Sequence, residues 1–201
     1  MWTIKQIFDG EYGCEERSEK DYGKVSVTLR SKNGEEKYFR ISDTWLIKKG
    51  LEEGSIWPYE FYGWEQAMDV KAVLKTYPGI ENPLDLYDAL SKIWCAETCA
   101  ERMRKNWTNK NPTLGQCSIS AFLAQDIFGG EVYGMLRKGG NYHCYNVIDH
   151  KIFDLTSEQF GEEVLVYQDN PVQSREVHFA KEEKKGRYEF LKSLLKQYCE
   201  K

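Results

Sequence analysis

Three residues in the second half of the chain, Cys117, His143 and Asp154, have side chains that together could carry out thiol chemistry. In such chemistry a cysteine thiolate attacks a carbonyl carbon and a histidine moves the proton, while a carboxylate orients the imidazole and stabilises its charged form. A helical pattern begins directly after Cys117, which predicts that this cysteine lies at a helix N-terminus. The free amides and the helix dipole at that position favour the thiolate and make a cysteine reactive.

The segments around these residues predict one helix followed by an antiparallel sheet. Apolar side chains at helical spacing predict the helix over 118–128. Strand patterns separated by turn sequences follow over 131–136, 142–148 and 152–155. His143 lies on the second of these strands and Asp154 on the third, so a contact between them depends on how the two strands align.

The turn between the last two strands decides whether Asp154 can reach His143. With a two-residue turn at Asp149-His150, Tyr145 lies opposite Asp154, and Asp154 shares the face of His143 one diagonal step away. A turn with an odd number of residues would move Asp154 to the other face of the sheet. In that case Asp149 is the alternative acid, although an aspartate in a turn more often serves the turn itself.

An acyl-transfer site also needs hydrogen-bond donors for the negative oxygen that develops on the substrate carbonyl. The backbone N–H of Cys117 is one candidate, and the side chains of Gln116 and Asn111 are the other oxyanion candidates. An amine, ammonia or an alcohol is compatible as the leaving group. The acceptor decides the reaction, since water gives hydrolysis and an amine gives transglutamination.

The chain divides by sequence pattern into a small β-rich N-terminal domain over 1–60, an aromatic-rich helical junction over 61–83 and a site-bearing domain over 84–201. The predicted fold class is α+β. In the third part we expect N-terminal helices and a cysteine-bearing helix packed on an antiparallel sheet. A cysteine at a helix start, followed by a histidine and an acid on strands, is the layout of papain-like and transglutaminase-like domains.

Local signals in the first two parts predict their elements. Residues 2–7 and the strands around Asn33-Gly34 predict a three-stranded sheet, with both residues of that turn at positive φ. Ser42 is the expected N-cap of a short helix, and residues 64–76 are the expected helix of the junction. The cysteine of this N-terminal domain, Cys14, is predicted to lie in a polar loop.

The last part of the chain contains three further predicted elements. We expect strands over 164–167 and 176–179, followed by an amphipathic helix over 182–199 that packs on the core. His178 falls on the second of these strands and His150 in a turn, and we interpret both histidines as structural.

The composition excludes several classes of function. The net charge is −4 over 201 residues with both signs mixed, and the short basic run over 102–110 is interpreted as a solvated helix end, so no nucleic-acid partner is expected. Neither a signal peptide nor an apolar run of membrane-spanning length is found, which predicts a cytoplasmic protein with no membrane partner. The six cysteines are then reduced thiols. The Cys95 and Cys99 spacing does not match a zinc site, so neither a metal nor another cofactor is expected.

Ordered sequence blocks over about residues 84–199 carry a further signal. The most specific are Asn111-Pro112-Thr113-Leu114-Gly115-Gln116-Cys117, Gln125-Asp126-Ile127-Phe128-Gly129-Gly130, His143-Cys144-Tyr145-Asn146 and Asp154-Leu155-Thr156-Ser157-Glu158-Gln159-Phe160. Together they resemble the bacterial YunG-like family. The resemblance puts Cys117, His143 and Asp154 at matching positions, whereas Cys144 stands where a tyrosine is more usual. We expect Cys144 to point away from the His143 face and to leave the chemistry unaffected.

These observations predict a cysteine-dependent acyl-transfer enzyme, either a peptidase, an amidase or a transglutaminase-like protein, with a Cys-His-Asp triad. Its expected substrate is a protein, a peptide or a small amide. The alternative is a catalytically inactive binding module of the same fold, in which the N-terminal domain contributes to recognition. The two differ in one observable, because only the enzyme needs Cys117 to be more reactive than the other thiols.

Overall fold

The computed structural model describes residues 1–8 and 23–201, and Cys14 lies outside these ranges. The chain has the predicted α+β class, with two three-stranded antiparallel sheets and several helices. Its internal contacts divide it into two compact units, Met1–Glu60 and Phe61–Lys201. Within the described ranges, no helix combines the length and the apolar character needed to cross a bilayer.

The first unit is a three-stranded sheet with one helix. Its elements are β1 Trp2–Phe8, β2 Lys24–Ser31, β3 Glu36–Ser42 and α1 Asp43–Lys49, and the sheet order is β1-β2-β3. Alternate residues of β2 are buried, as expected for a strand with one face on a core. Ser42 caps α1 as predicted, because its side chain accepts a hydrogen bond from the backbone N–H of Trp45, and Gly50 ends the helix in the left-handed conformation.

The turn between β2 and β3 differs from the predicted one. Gly34 has a φ of 89°, but Asn33 is not among the residues of the described chain that have positive φ. The N–H of Gly34 donates to the carbonyl oxygen of Ser31 at 3.1 Å. This is a longer hairpin loop, in which one left-handed glycine is sufficient. The predicted hairpin is confirmed and the predicted turn geometry is wrong, because Asn-Gly fits loops of both kinds.

The second unit is built around one central helix, α4, which packs against helices on one side and a sheet on the other. Its elements are α2 Trp64–Ala67, α3 Pro83–Ile93, α4 Cys117–Phe128, β4 Glu131–Leu136, β5 Tyr142–Ile148, β6 Lys151–Phe153, α5 Arg175–Phe179 and α6 Glu182–Cys199, with 3₁₀ helices at Glu101–Asn106 and Ser157–Phe160. The order of the sheet is β4-β5-β6. Helix α4 packs against β5, β4, α3 and α6, so most of its side chains are buried rather than one stripe.

The β5–β6 turn has two residues, which is the alternative that allows Asp154 to reach His143. Asp149 and His150 both have positive φ, at 48° and 64°, and Ile148 pairs with Lys151 across the turn. Such a turn matches the natural twist of the two strands. The paired register continues to Asn146 and Phe153, so the next position brings Asp154 beside Tyr145, on the face that carries His143.

Three predicted elements are wrong. The helix expected over 64–76 ends at Ala67, and no strand is assigned over 164–167. Residues 176–179 lie in helix α5, which Ser174 caps through a hydrogen bond from the N–H of Val177. A short apolar run fits a strand or a helical turn equally well, and here the serine cap favours the helix.

Candidate active site

Cys117 is the first residue of α4, and a tight loop brings it there. Gly115 has a φ of 70°, and a Cβ at this position would lie 2.7 Å from the Sγ of Cys99. Only glycine therefore fits both the backbone conformation and the space. The carbonyl of Gly115 accepts a hydrogen bond from the N–H of Ala100 at 3.0 Å, which fixes the loop against the preceding segment.

The surroundings of Cys117 favour its thiolate. The thiol of Cys144 is the largest influence, and together with the positive charge of His143 it outweighs the effect of burial, so that the pKa of Cys117 lies well below its usual range. Gln116 does not cap α4 with its side chain. The amides of the first helical turn therefore keep their partial positive charge close to the sulfur.

The sequence predicted that Cys144 would lie away from the site and leave its chemistry unaffected. In the structure Cys144 acts on Cys117. Its side chain is fully buried, and its thiol and its backbone N–H both lower the pKa of Cys117. The negative charge on Cys117, together with burial, raises the pKa of Cys144 well above the usual range of a thiol. Cys144 is therefore a neutral donor at neutral pH, and Cys117 is the thiol that ionises.

His143 lies in the protein interior and is held by Asp154. Its Nε2 lies 2.5 Å from Oδ2 of Asp154, and its ring packs edge-on against Phe160 with 4.7 Å between centroids. Nδ1 has no close hydrogen bond to any described residue, which makes it the nitrogen available to Cys117. Burial alone would lower the pKa of His143, but the charge of Asp154 and the thiolate of Cys117 raise it to about 10.

Four donors surround the carboxylate of Asp154. Oδ1 accepts from the backbone N–H of Thr156 at 3.0 Å and from its hydroxyl at 3.1 Å, while Oδ2 accepts from the hydroxyl of Tyr167 at 2.9 Å as well as from His143. The carboxylate is almost fully buried, with 1% of its surface exposed. Burial and Asp154 both raise the pKa of Tyr167, so its hydroxyl stays protonated and continues to donate.

The two predicted side-chain donors for an oxyanion lie elsewhere. Gln116 is fully buried, and its Nε2 donates to the carbonyl of Cys95 at 3.1 Å. The Oδ1 of Asn111 accepts from the hydroxyl of Thr113 at 3.3 Å, and Asn111 lines a separate cavity. The backbone amides at the start of α4 are thus the predicted oxyanion donors that stay beside Cys117.

A cavity of about 420 Å³ opens beside the thiol and the imidazole. Cys117, Ser118 and His143 contribute to its wall, and Gln159 and Phe160 form another part. Gln159 is itself held in place, since its Nε2 donates to the carbonyl of Thr156 at 2.8 Å. This volume suits a small molecule or one side chain of a larger substrate.

Three residues of the site were missed from the sequence: Cys144, Thr156 and Tyr167. Thr156 had a usable signal, because Asp-x-Thr is a common local motif in which the carboxylate accepts from the residue two positions later. Tyr167 had none, since it reaches Asp154 from a segment without regular structure. Cys144 neighbours His143 on β5, and the alternation of side chains argued against a shared site. His143 and Cys144 both influence Cys117, since helix α4 packs against β5.

The remaining histidines and cysteines have other surroundings. His178 lies in α5, where its Nε2 donates to Oε1 of Gln173 at 3.0 Å and its Nδ1 accepts from Lys184 at 2.9 Å. Cys99 is buried, and burial raises its pKa. Within residues 1–8 and 23–201, no group of three His, Cys, Asp or Glu side chains is placed to hold a metal ion.

Comparison with known proteins relates the second unit to one family. The family model described as YunG protein matches residues 82–200, more than half of the chain. Over 73 residues, 36% of this chain, the sequence is 41% identical to "Uncharacterized protein YunG" of Bacillus subtilis (strain 168). The chain spans 61% of the length of that relative. No solved structure matches the chain.

Proposed function

The chain belongs to the YunG family, and we propose that it is a cysteine-dependent acyl-transfer enzyme that works through Cys117, His143 and Asp154. The observation that carries this proposal is the buried His143–Asp154 pair, whose second ring nitrogen is left for a thiol at a helix N-terminus. An imidazole bonded to a carboxylate through one nitrogen is oriented to exchange a proton through the other.

The resting state of the proposed enzyme is a thiolate–imidazolium pair. The pKa of Cys117 lies well below its usual range and that of His143 is raised to about 10, so near neutral pH the proton resides on the imidazole. Asp154 stabilises this charged ring from the opposite side. The nucleophile is then ionised before the substrate arrives.

In the first half of the reaction, the Cys117 sulfur attacks the substrate carbonyl carbon, and the C–S bond forms. The carbonyl π electrons move onto oxygen and return as the bond to the leaving group breaks. The proton on Nδ1 of His143 passes to the leaving amine or alcohol. In the second half, water or an amine attacks the thioester, gives its proton to Nδ1 and releases Cys117 as thiolate.

The negative oxygen of the tetrahedral intermediate needs donors close to Cys117. We assign this role to the backbone amides at the start of α4, where the N–H groups of a helix are free of helical partners. The Gln116 and Asn111 side chains stay secondary candidates, because each would first have to leave its present hydrogen bond.

The proposed domain type is papain-like or transglutaminase-like. In support, α4 begins at the cysteine and packs on an antiparallel sheet, and the chain order is Cys117, His143, Asp154. A cytoplasmic location also fits the proposal, since a catalytic thiol must stay reduced.

The test is the alkylation of individual cysteines by iodoacetamide, followed by mass spectrometry across a pH series. We expect Cys117 to react at least about 10-fold faster near pH 6 than Cys95 or Cys199, because the pKa of its thiol lies well below the usual range. His143→Ala should remove most of this advantage. Cys117→Ala is the matched control that identifies the labelled site.

Two outcomes would support the inactive binding module instead. One is a Cys117 rate equal to that of the other partly exposed cysteines, and the other is a fast rate that His143→Ala leaves unchanged. If Cys117 reacts as expected, an activity-based probe with an acyl group should form a thioester on wild type that Cys117→Ala lacks.

A further inference from the structure

The cavity beside Cys117 has a basic mouth, although the chain as a whole is acidic. Six basic and two acidic side chains line it, whereas the net charge of the chain is −4. The basic residues are Arg102, Arg137, Lys138, Lys181, Lys184 and Arg187. A cleft lined by one sign of charge concentrates ligands of the opposite sign.

Two of these cations have acidic partners. Nε of Arg187 lies 2.5 Å from Oε1 of Glu183, and Arg137 contacts both oxygens of Glu163 at 2.7 Å. Arg187 is also buried and donates to the carbonyl of Thr98 at 3.1 Å. These two arginines therefore build the wall of the cavity and do not contribute a free charge.

The other four cations make no ion pair with any described residue: Arg102, Lys138, Lys181 and Lys184. Lys184 donates to Nδ1 of His178, and burial together with Lys184 itself lowers the pKa of that histidine to about 4. His178 is therefore neutral near pH 7 and does not compensate the charge of Lys184, whereas burial lowers the pKa of Lys184 itself.

The free cations reach the mouth from three separate segments. Arg102 lies on the 3₁₀ helix Glu101–Asn106, Lys138 lies between β4 and β5, and Lys181 and Lys184 belong to the start of α6. The interpretation of the basic run over 102–110 as a solvated helix end is thus incomplete, because Arg102 lines the cavity. Cations from three segments of the chain therefore line the same cavity as Cys117. This arrangement favours the binding of an anion there and differs from basic residues that are scattered over a surface.

We infer that the acyl donor carries a carboxylate or phosphate group close to its reactive carbonyl. This inference rests on the proposed function, and it adds the substrate class. The anionic group would lie at the mouth, among the four free cations, while the carbonyl reaches Cys117. A cavity of about 420 Å³ admits a small anion or an acidic side chain.

The test compares two thiol reagents of nearly equal size, iodoacetate and iodoacetamide, which differ in one negative charge. The measured quantity is the iodoacetate rate at Cys117 divided by the iodoacetamide rate. This ratio is independent of how much thiolate is present, because both reagents react with the same thiolate. We expect this ratio to exceed that of 2-mercaptoethanol by about 10-fold at low salt, and to fall as salt is raised from about 0.05 to about 0.5 M.

The variant is the double charge reversal Arg102→Glu with Lys181→Glu, both at exposed positions where folding should not be affected. It should lower the rate ratio about 10-fold or more. The matched control is Lys192→Glu with Lys196→Glu, which changes the net charge equally, lies on α6 and does not line the cavity. It should leave the ratio within about 2-fold, since exposed charges beyond a Debye length are screened.

Protection experiments separate the two anion types. Glutarate and inorganic phosphate are each tested for slowing the iodoacetamide reaction of Cys117 at constant ionic strength, with glutaramide as the neutral comparison. Protection by either anion and not by glutaramide supports the inference and identifies the group. Protection by none, with equal reagent ratios in wild type and double variant, would overturn it.

These results are distinct from a failure of the proposed function. If Cys117 reacts fast with iodoacetamide in a His143-dependent way but shows no preference for iodoacetate, the enzyme proposal stands and the anionic substrate is wrong. If Cys117 is not more reactive than the other cysteines, both fail.

Discussion

Cys144 offers a sharp test of how the thiolate is stabilised. Its thiol is the largest influence that lowers the pKa of Cys117, ahead of His143. Replacing Cys144 by alanine removes this donor and keeps the backbone N–H that also points at the sulfur. Replacing it by serine keeps a donor in the same place, so the two variants differ in one hydrogen bond.

The size of the effect follows from the energy of a hydrogen bond to a charged group. Such a bond contributes about 1.5–3 kcal/mol, and one pKa unit corresponds to about 1.4 kcal/mol. Cys144→Ala should therefore raise the pKa of Cys117 by about 1–2 units. Cys144→Ser should keep it within about half a unit of wild type, because a hydroxyl donates at least as well as a thiol.

The assay is the pH dependence of iodoacetamide alkylation at Cys117, whose midpoint gives the pKa directly. Circular dichroism spectra of both variants establish that the buried position tolerates the change. If alanine and serine give the same midpoint as wild type, the thiol of Cys144 does not stabilise the thiolate. The helix N-terminus and His143 would then account for the whole effect.

Two further variants test the residues behind the imidazole. Asp154→Asn should return the pKa of His143 from about 10 toward 6.5, because the largest influence that raises it is lost; NMR titration of the ring measures this, and a value still near 10 would contradict it. In wild type, the raised pKa of His143 adds to the free energy of unfolding; this contribution is fully present below pH 6.5 and is lost as pH rises through about 10. Urea unfolding of Asp154→Asn should lack this pH dependence. Tyr167→Phe should lower the free energy of unfolding by about 1.5–3 kcal/mol, because a hydrogen bond to a buried carboxylate is removed while the stacked ring remains. Tyr133→Phe removes a hydroxyl that donates to an exposed carboxylate and should lower the free energy of unfolding much less, and equal losses would refute the reasoning.

The elements that position the site were predictable because their signals are local. The start of α4 at Cys117 agrees with the sequence prediction, and the two-residue turn at Asp149-His150 is one of the two alternatives that the sequence left open. Each depends on a few neighbouring residues: apolar spacing for the helix and tolerance of positive φ for the turn. The short helix α5 was predicted as a strand, because four apolar and polar residues carry too little periodicity to separate the two.

The contacts that complete the site were not predictable, because they join distant segments. Tyr167 donates to Asp154 from a stretch without a periodic pattern, and Lys184 approaches the cavity from the last helix of the chain. Because neighbouring side chains on a strand point to opposite faces, the sequence predicted that Cys144 would lie away from the site of His143. The start of α4 comes close enough for two consecutive residues of the strand to interact with one thiol.

The β5–β6 turn links the backbone to the proposed chemistry. Two residues with positive φ set the register that brings Asp154 to the His143 face. Asp154 then accepts a hydrogen bond from Nε2 of His143, so Nδ1 is the nitrogen left for proton exchange with Cys117. A one-residue change in the length of this turn would move Asp154 to the opposite face of the sheet. His143 would then lose the neighbouring negative charge that keeps its imidazole protonated near neutral pH. The identity of the proton-carrying nitrogen is thus a consequence of strand register and not of His143 alone.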